Sequence, residues 1–182
     1  MKIEATLIQA KSDSSDTHKS HWFKQIWADI VDSENIGVSS GLVDPFARNC
    51  TIAHPWTNDI NADSKAEYHL CALEFLRALN SNTYEGIIID PPFSKPMAEK
   101  HYEGFGANLY ASDSKLMSKV FRECSRILKH GGFILKFGYN CNRPAVGFVL
   151  KSLWVVNKGG MGNDTIVSLW IKEQETLEKW VA

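Results

Sequence analysis

Gly86-Ile87-Ile88-Ile89-Asp90-Pro91-Pro92-Phe93 is the stretch that decides the fold. After the glycine come three isoleucines, an unbroken apolar run of the kind a central parallel strand shows when both its faces are covered. An acid and two prolines then end it. Such a strand needs helices above and below it, and its neighbours supply them. Upstream, Ala72 to Leu79 reads as a helix. Downstream, Ser114 to Lys129 is amphipathic, with Leu116, Val120, Cys124, Ile127 and Leu128 along one side and Gly131-Gly132 as its stop.

Working outward, Gly41 to Phe46 reads as a short strand that carries Asp44, a second strand ends near Thr57-Asn58-Asp59, and Glu67 to Leu70 makes a third. Phe133 to Phe137 follows the central strand as a fifth. The runs 148–156 and 165–171 close the chain as an antiparallel pair across the hairpin signal at 157–164. Near the start, residues 10–16 form a polar loop. Asp16 or Thr17 caps a helix running to about Val31, with Trp22, Phe23, Ile26, Trp27 and Ile30 on one face. The expected architecture is α/β: a mostly parallel seven-stranded sheet, right-handed crossovers, and a C-terminal antiparallel hairpin. Residues 1–182 form one domain, of which 1–35 are an N-terminal helical extension. Ligands in such sheets gather beyond the carboxyl ends of the strands, where Asp44, Asp59, Cys71 and Asp90 all fall.

Composition narrows the function classes. A formal net charge of −1 on 182 residues gives no bulk positive field for nucleic acid. Lys95, Lys100, His101, Lys115, Lys119 and Arg122 form a local basic group, which reads first as a solvated helix face. The four cysteines, at 50, 71, 124 and 141, lack metal-ligand spacing, so no metal site is expected, and they are too scattered for a disulfide framework. The N-terminus is too polar for a signal peptide and no apolar run approaches membrane length, which places the expected compartment in the cytoplasm.

The residues after the central strand carry the chemistry. An amine attached to an aromatic ring is a poor nucleophile because its lone pair is delocalised. The Asp90 carboxylate and the Pro91 carbonyl are both acceptors for its hydrogens. Together they favour a pyramidal nitrogen whose lone pair can attack a sulfonium methyl in line. Pro91 and Pro92 rigidify the turn, and Phe93 offers a flat face on which a base can stack. Asp59 stands 15 residues after Asp44, a spacing that suits an acid accepting both ribose hydroxyls of an adenosyl ligand. A turn capping the next segment is the competing reading of Asp59.

Taken together, DPFARN (44–49), TNDIN (57–61), EYHLCALEFL (67–76), IIIDPPFS (87–94), RILKHGGFILKFGYN (126–140) and NKGGMGNDTIVSLWIK (157–172) resemble the class I amino-methyltransferases, most nearly the small adenine-N6-specific DNA methyltransferases. The resemblance implies a Rossmann-like methyltransferase sandwich with S-adenosyl-L-methionine as cofactor. It places Asp44, Pro45, Phe46 and Ala47 against the methionine part, Asp59 and Ile60 at the ribose, and Cys71 and Ala72 at the adenine. Asp90, Pro91, Pro92 and Phe93 then bind the target amine and base. Two positions depart from the family pattern. Arg48 stands where a small residue is usual in a glycine-rich turn, and Cys71 where an aspartate is common.

By the same resemblance the partner is nucleic acid, DNA first. Guanine-N2 or adenine-N6 methylation of RNA, glutamine methylation of protein, and a catalytically silent partner subunit are the alternatives. Only ten residues lie between Leu79 and Asp90, which leaves no room there for a target-recognition domain. A homodimer or a second subunit is therefore expected to supply recognition. Residues 94–113, with Tyr102, Phe105, Tyr110 and several glycines, read as a substrate loop or lid. No cysteine follows a proline, which sets aside C5-cytosine chemistry.

Overall fold

A computed structural model describes residues 3, 5–10, 17–34, 41–102, 104–105, 113–159 and 163–173 of the chain. The elements in order are strand β1 (Ala5–Gln9), a 3-10 turn (Thr17–Lys19), helix α1 (His21–Glu34), β2 (Leu42–Val43), α2 (Ala72–Ala78), β3 (Tyr84–Ile89), α3 (Lys95–Tyr102), α4 (Ser114–Ile127), β4 (Leu128–Gly138), β5 (Phe148–Asn157) and β6 (Thr165–Lys172). One sheet has the order β1-β5-β6-β4-β3-β2. Pairs β1–β5, β2–β3 and β3–β4 are parallel, and β6 runs antiparallel to both β4 and β5. The chain is a mixed α/β protein.

Alternation along the central strands divides the core between two faces. Ile87 and Ile89 of β3 join α2 and α4 through Phe75, Leu76, Val120, Cys124 and Ile127. Ile88 points the other way and joins Phe133, Leu135 and Phe137 of β4 against Trp22, Phe23, Ile26 and Ile30 of α1. Ile87, Ile89, Ile26 and Ile30 are each 0 % exposed, a burial that contributes roughly 1.5–3 kcal/mol apiece. Ser20 caps α1: its Oγ accepts from the Phe23 N–H at 3.2 Å and donates to the Thr17 carbonyl at 2.6 Å. The expected cap was one turn earlier, at Thr17, which instead starts the 3-10 turn; Asp16 lies outside the described residues.

The structure departs from the sequence-based expectation in four places. The sheet has six strands among the described residues: of the seven expected, the second and third shrink to isolated parallel bridges, Asp44 with Thr57 and Asn58 with Tyr68, and β1 is added. Strand β1 was not expected within the helical extension. It is an edge strand with only Ile8 buried, so its side chains carry little apolar signal. Helix α3 forms the first part of the segment read as a loop, while residues 103 and 106–112 lie outside the described residues. Finally, Gly131-Gly132 does not end α4. The helix ends at Ile127, and Leu128, 0 % exposed, already pairs with Tyr84 as the start of β4. The register jumps there from Tyr84↔Leu128 to Gly86↔Phe133, and the glycines lie in the resulting bulge, Gly131 at φ +77°.

Candidate functional site

At the carboxyl end of β2 the chain makes a tight turn whose backbone is held by buried polar groups. Asp44 N–H donates to the Trp56 carbonyl at 2.9 Å, and Asn58 N–H donates to the Asp44 carbonyl at 2.8 Å. Asn58, 0 % exposed, ties three segments together. Its Nδ2 donates to the carbonyls of Pro45 and Leu70 at 3.2 and 3.0 Å, while its Oδ1 accepts from the Leu70 N–H at 2.9 Å. Ala47 N–H closes onto the Asn58 carbonyl at 2.9 Å. Asn58 is thus a positioning residue that the sequence reading passed over in favour of its acidic neighbour. Its short amide side chain is ambiguous in sequence because Asn serves equally in turns.

Asp59 is buried and its carboxylate is engaged on both oxygens. Oδ1 accepts from the Asn61 N–H at 2.9 Å, and Oδ2 accepts from the Arg48 N–H and the Tyr102 hydroxyl, each at 3.1 Å. The bond to Asn61 is the turn that was weighed against a ligand role. Arg48 takes φ +48°, in the left-handed region that favours glycine. The glycine-type turn is therefore present without the glycine, at a cost of about 1 kcal/mol.

Asp44, Phe46, Ala47, Arg48, Asp90, Pro91, Pro92 and Phe93 line one cavity of about 220 Å³. Thr17, His18 and Phe23 from the N-terminal turn and α1, Tyr102 from α3, and Lys158 after β5 are also among its lining. Beside it, Pro45, Phe46, Asp59, Ile60, Cys71, Ala72, Pro92 and Tyr102 line a second space of about 30 Å³. Every residue expected at the site from sequence lines one or both spaces. Thr17, His18 and Lys158 were assigned no role there, and Tyr102 only a place in a substrate loop or lid. They come from distant parts of the chain: Thr17 was read as a helix cap, Tyr102 lay in the segment read as a substrate loop or lid, and Lys158 lay in the hairpin segment 157–164. Of that hairpin segment, residues 160–162 fall outside the described residues.

The cavity floor is electrically unusual. Burial raises the Asp44 carboxyl to about 8, with the nearby charges of Asp90 and Asp59 adding to the rise and the Phe46 N–H, 3.0 Å from Oδ1, opposing it. Asp90 is raised to about 6, again by burial, against a hydrogen bond from Thr17 and the positive charges of Lys158 and Arg48. Asp44 and Asp90 thus face a space whose burial disfavours their ionised forms. A cation entering that space recovers charge–charge energy from each of them.

Phe93 meets Tyr139 edge to face at a centroid distance of 4.9 Å, and its N–H donates to Met97 Sδ at 3.4 Å. On the far side of the same turn a cavity of about 90 Å³ is lined by Pro91, Phe93, Met117, Lys136, Tyr139 and Asn140 among others. Lys136 Nζ donates there to Asn140 through its carbonyl at 3.1 Å and its Oδ1 at 3.4 Å. Among the described residues no helix is long and apolar enough to cross a membrane.

No family model matches the chain, and no curated protein matches its sequence. Solved structures do match its shape. A chain from Escherichia coli, yhhF, which carries a provisional methyltransferase designation, superposes with a TM-score of 0.54 at 11% identity, over 90% of this chain and 89% of that one. The crystal structure of PH0851 aligns with a TM-score of 0.45 at 15% identity, over 81% of this chain and 46% of that one. With its strand order and nearly full mutual coverage of yhhF, the chain shares the fold of a methyltransferase-designated protein.

Proposed function

We propose that the protein transfers a methyl group from S-adenosyl-L-methionine to an exocyclic amine, with adenine N6 in DNA as the first substrate. The observation that carries this reading is the convergence of Asp44, Asp59 and Asp90 on adjoining cavities beside the Asp90–Phe93 turn. The residues present fit the cofactor's chemistry. Its sulfonium and ammonium groups are cations, and the larger cavity is floored by Asp44 and Asp90, whose acidity burial has weakened. The smaller space, with Asp59 on one side and Ile60, Cys71 and Ala72 around it, suits the adenosine end. The cofactor would supply an electrophilic methyl.

The chain's own part is to hold the amine. Asp90 and the Pro91 carbonyl accept its two hydrogens, and the Asp90 carboxylate is the nearest group to take the proton lost on transfer. Phe93, braced by Tyr139 and Met97, offers the stacking face for the ring. Exposed Lys95, Lys100 and His101 on α3, with Lys115, Lys119 and Arg122 on α4, lie on the helices flanking that side and suit a phosphate backbone. In this reading the chain is a single Rossmann-like methyltransferase domain in the cytoplasm, and a second copy or subunit supplies sequence recognition.

Labelled S-adenosylmethionine is offered with unmethylated duplex DNA, single-stranded DNA, ribosomal RNA and protein extract, and the modified product is identified. The reading expects N6-methyladenine in DNA, abolished in Asp90→Ala. Label confined to RNA or protein rejects the DNA assignment, and transfer by Asp90→Ala rejects the role of Asp90. Activity is expected to fall below about pH 6 as Asp90 takes up a proton and stops accepting from the amine.

A further inference from the structure

Tyr102 ends α3, and its hydroxyl reaches across to Asp59 Oδ2 at 3.1 Å. A carboxylate offers about four lone-pair positions. Asn61 N–H, Arg48 N–H and Tyr102 OH take three of them at Asp59. A ribose needs two, one for each hydroxyl of its diol, and only one is left. The space around Asp59, about 30 Å³, is bounded in part by the tyrosine itself. The two backbone donors belong to the turns that build the site. The tyrosine belongs to a helix of eight residues, Lys95–Tyr102, of which only Ala98 is buried.

We propose that Tyr102 is a displaceable occupant of the ribose position, so that the C-terminal end of α3 must withdraw before S-adenosylmethionine can seat on Asp59. This rests on the cofactor reading given above. Its hydroxyl does for Asp59 what one sugar hydroxyl would do while the site is empty. The withdrawal has a second consequence. Helix α3 begins two residues after Phe93, and Met97 on its first turn accepts from the Phe93 N–H. Seating the adenosine end therefore loosens the support of the stacking face, and the free protein holds its target subsite in a different setting from the loaded one.

Calorimetric titration with S-adenosylmethionine, on the wild type and on Tyr102→Phe, tests the idea. The phenylalanine keeps the ring and removes only the bond to Asp59. It is expected to bind the cofactor about tenfold more tightly, the size of a hydrogen bond to a charged group withdrawn from the competing state. Equal or weaker binding in Tyr102→Phe, with clear binding to the wild type, overturns the proposal and leaves the cofactor reading standing. No binding to either protein, both folded by circular dichroism, overturns both. A mutation-free readout runs alongside: stopped-flow association with the wild type is expected to level off at high cofactor concentration, as opening becomes limiting. A rate that climbs linearly to the mixing limit speaks against an occupied site.

Discussion

Asp44→Asn isolates the electrostatic cost of the cavity floor. Asp44 is 3 % exposed, its carboxyl lies at about 8 instead of 3.8, and the leading cause is burial. Below about pH 4 the folded and unfolded chains both hold the proton. Between there and about pH 8 the folded chain holds it and the unfolded chain has lost it, so unfolding releases a proton and rising pH favours unfolding. The stabilising contribution of Asp44 is thus complete at low pH and is lost as the pH rises through about 8. The slope is about 1.4 kcal/mol per pH unit for one proton, or about 3 kcal/mol between roughly pH 5 and 7. Asparagine keeps the shape and an oxygen to accept from the Phe46 N–H, 3.0 Å away, but never ionises. Urea unfolding of both proteins across this range, at fixed salt, should show the variant gaining on the wild type by about that amount. A difference between the two proteins that stays constant with pH would refute the assignment of a buried, reluctantly ionised acid at this position.

Two further substitutions probe how the frame is built. A Cβ on Gly86 would lie 2.2 Å from Phe133 Cζ and 2.7 Å from Leu42 Cδ2, both in the packed interior. Gly86→Ala is therefore expected to cost about 2–3 kcal/mol in urea unfolding, and a loss below about 0.5 kcal/mol would show that Phe133 can move aside. Arg48→Gly and Arg48→Ala both remove the guanidinium, yet only glycine relaxes the backbone at φ +48°. The glycine variant should be the more stable by about 1 kcal/mol, and equal midpoints would contradict strain at that turn.

How much of this was legible beforehand depends on what each segment had to bury. The strand Tyr84–Ile89, the apolar face of α1 and the closing pair β5–β6 were readable because their side chains face one or two apolar layers, and periodicity records that demand. Strand β1 buries only Ile8, and α3 only Ala98, so neither leaves a pattern to read. The bulge at Gly131-Gly132 misled in the other direction. A glycine pair marks a helix end and a strand bulge alike, and only the pairing of Leu128 with Tyr84 decides between them. The two expected strands near Thr57 and Tyr68 have a similar cause: among the described residues these segments make single bridges, and their side-chain pattern is the same as that of a longer ladder.

For the candidate site, residue order and strand-end placement were enough to bring Asp44, Asp59, Cys71 and Asp90 forward, because a parallel sheet sends its carboxyl ends to one edge. That much follows from sequence by itself: an α/β frame, a turn chemically suited to holding an amine, and acids on neighbouring turns. Tertiary structure alone decided the rest. It brought Thr17 and Lys158 to Asp90, made Asn58 the tie between three segments, set Arg48 in a glycine's conformation, and put the Tyr102 hydroxyl on Asp59 across 43 residues of chain. Contacts of that kind rest on hydrogen bonds and charge at short range between residues far apart in the chain. Local pattern carries no trace of them, since nothing in either partner's neighbourhood depends on the other until the chain has folded.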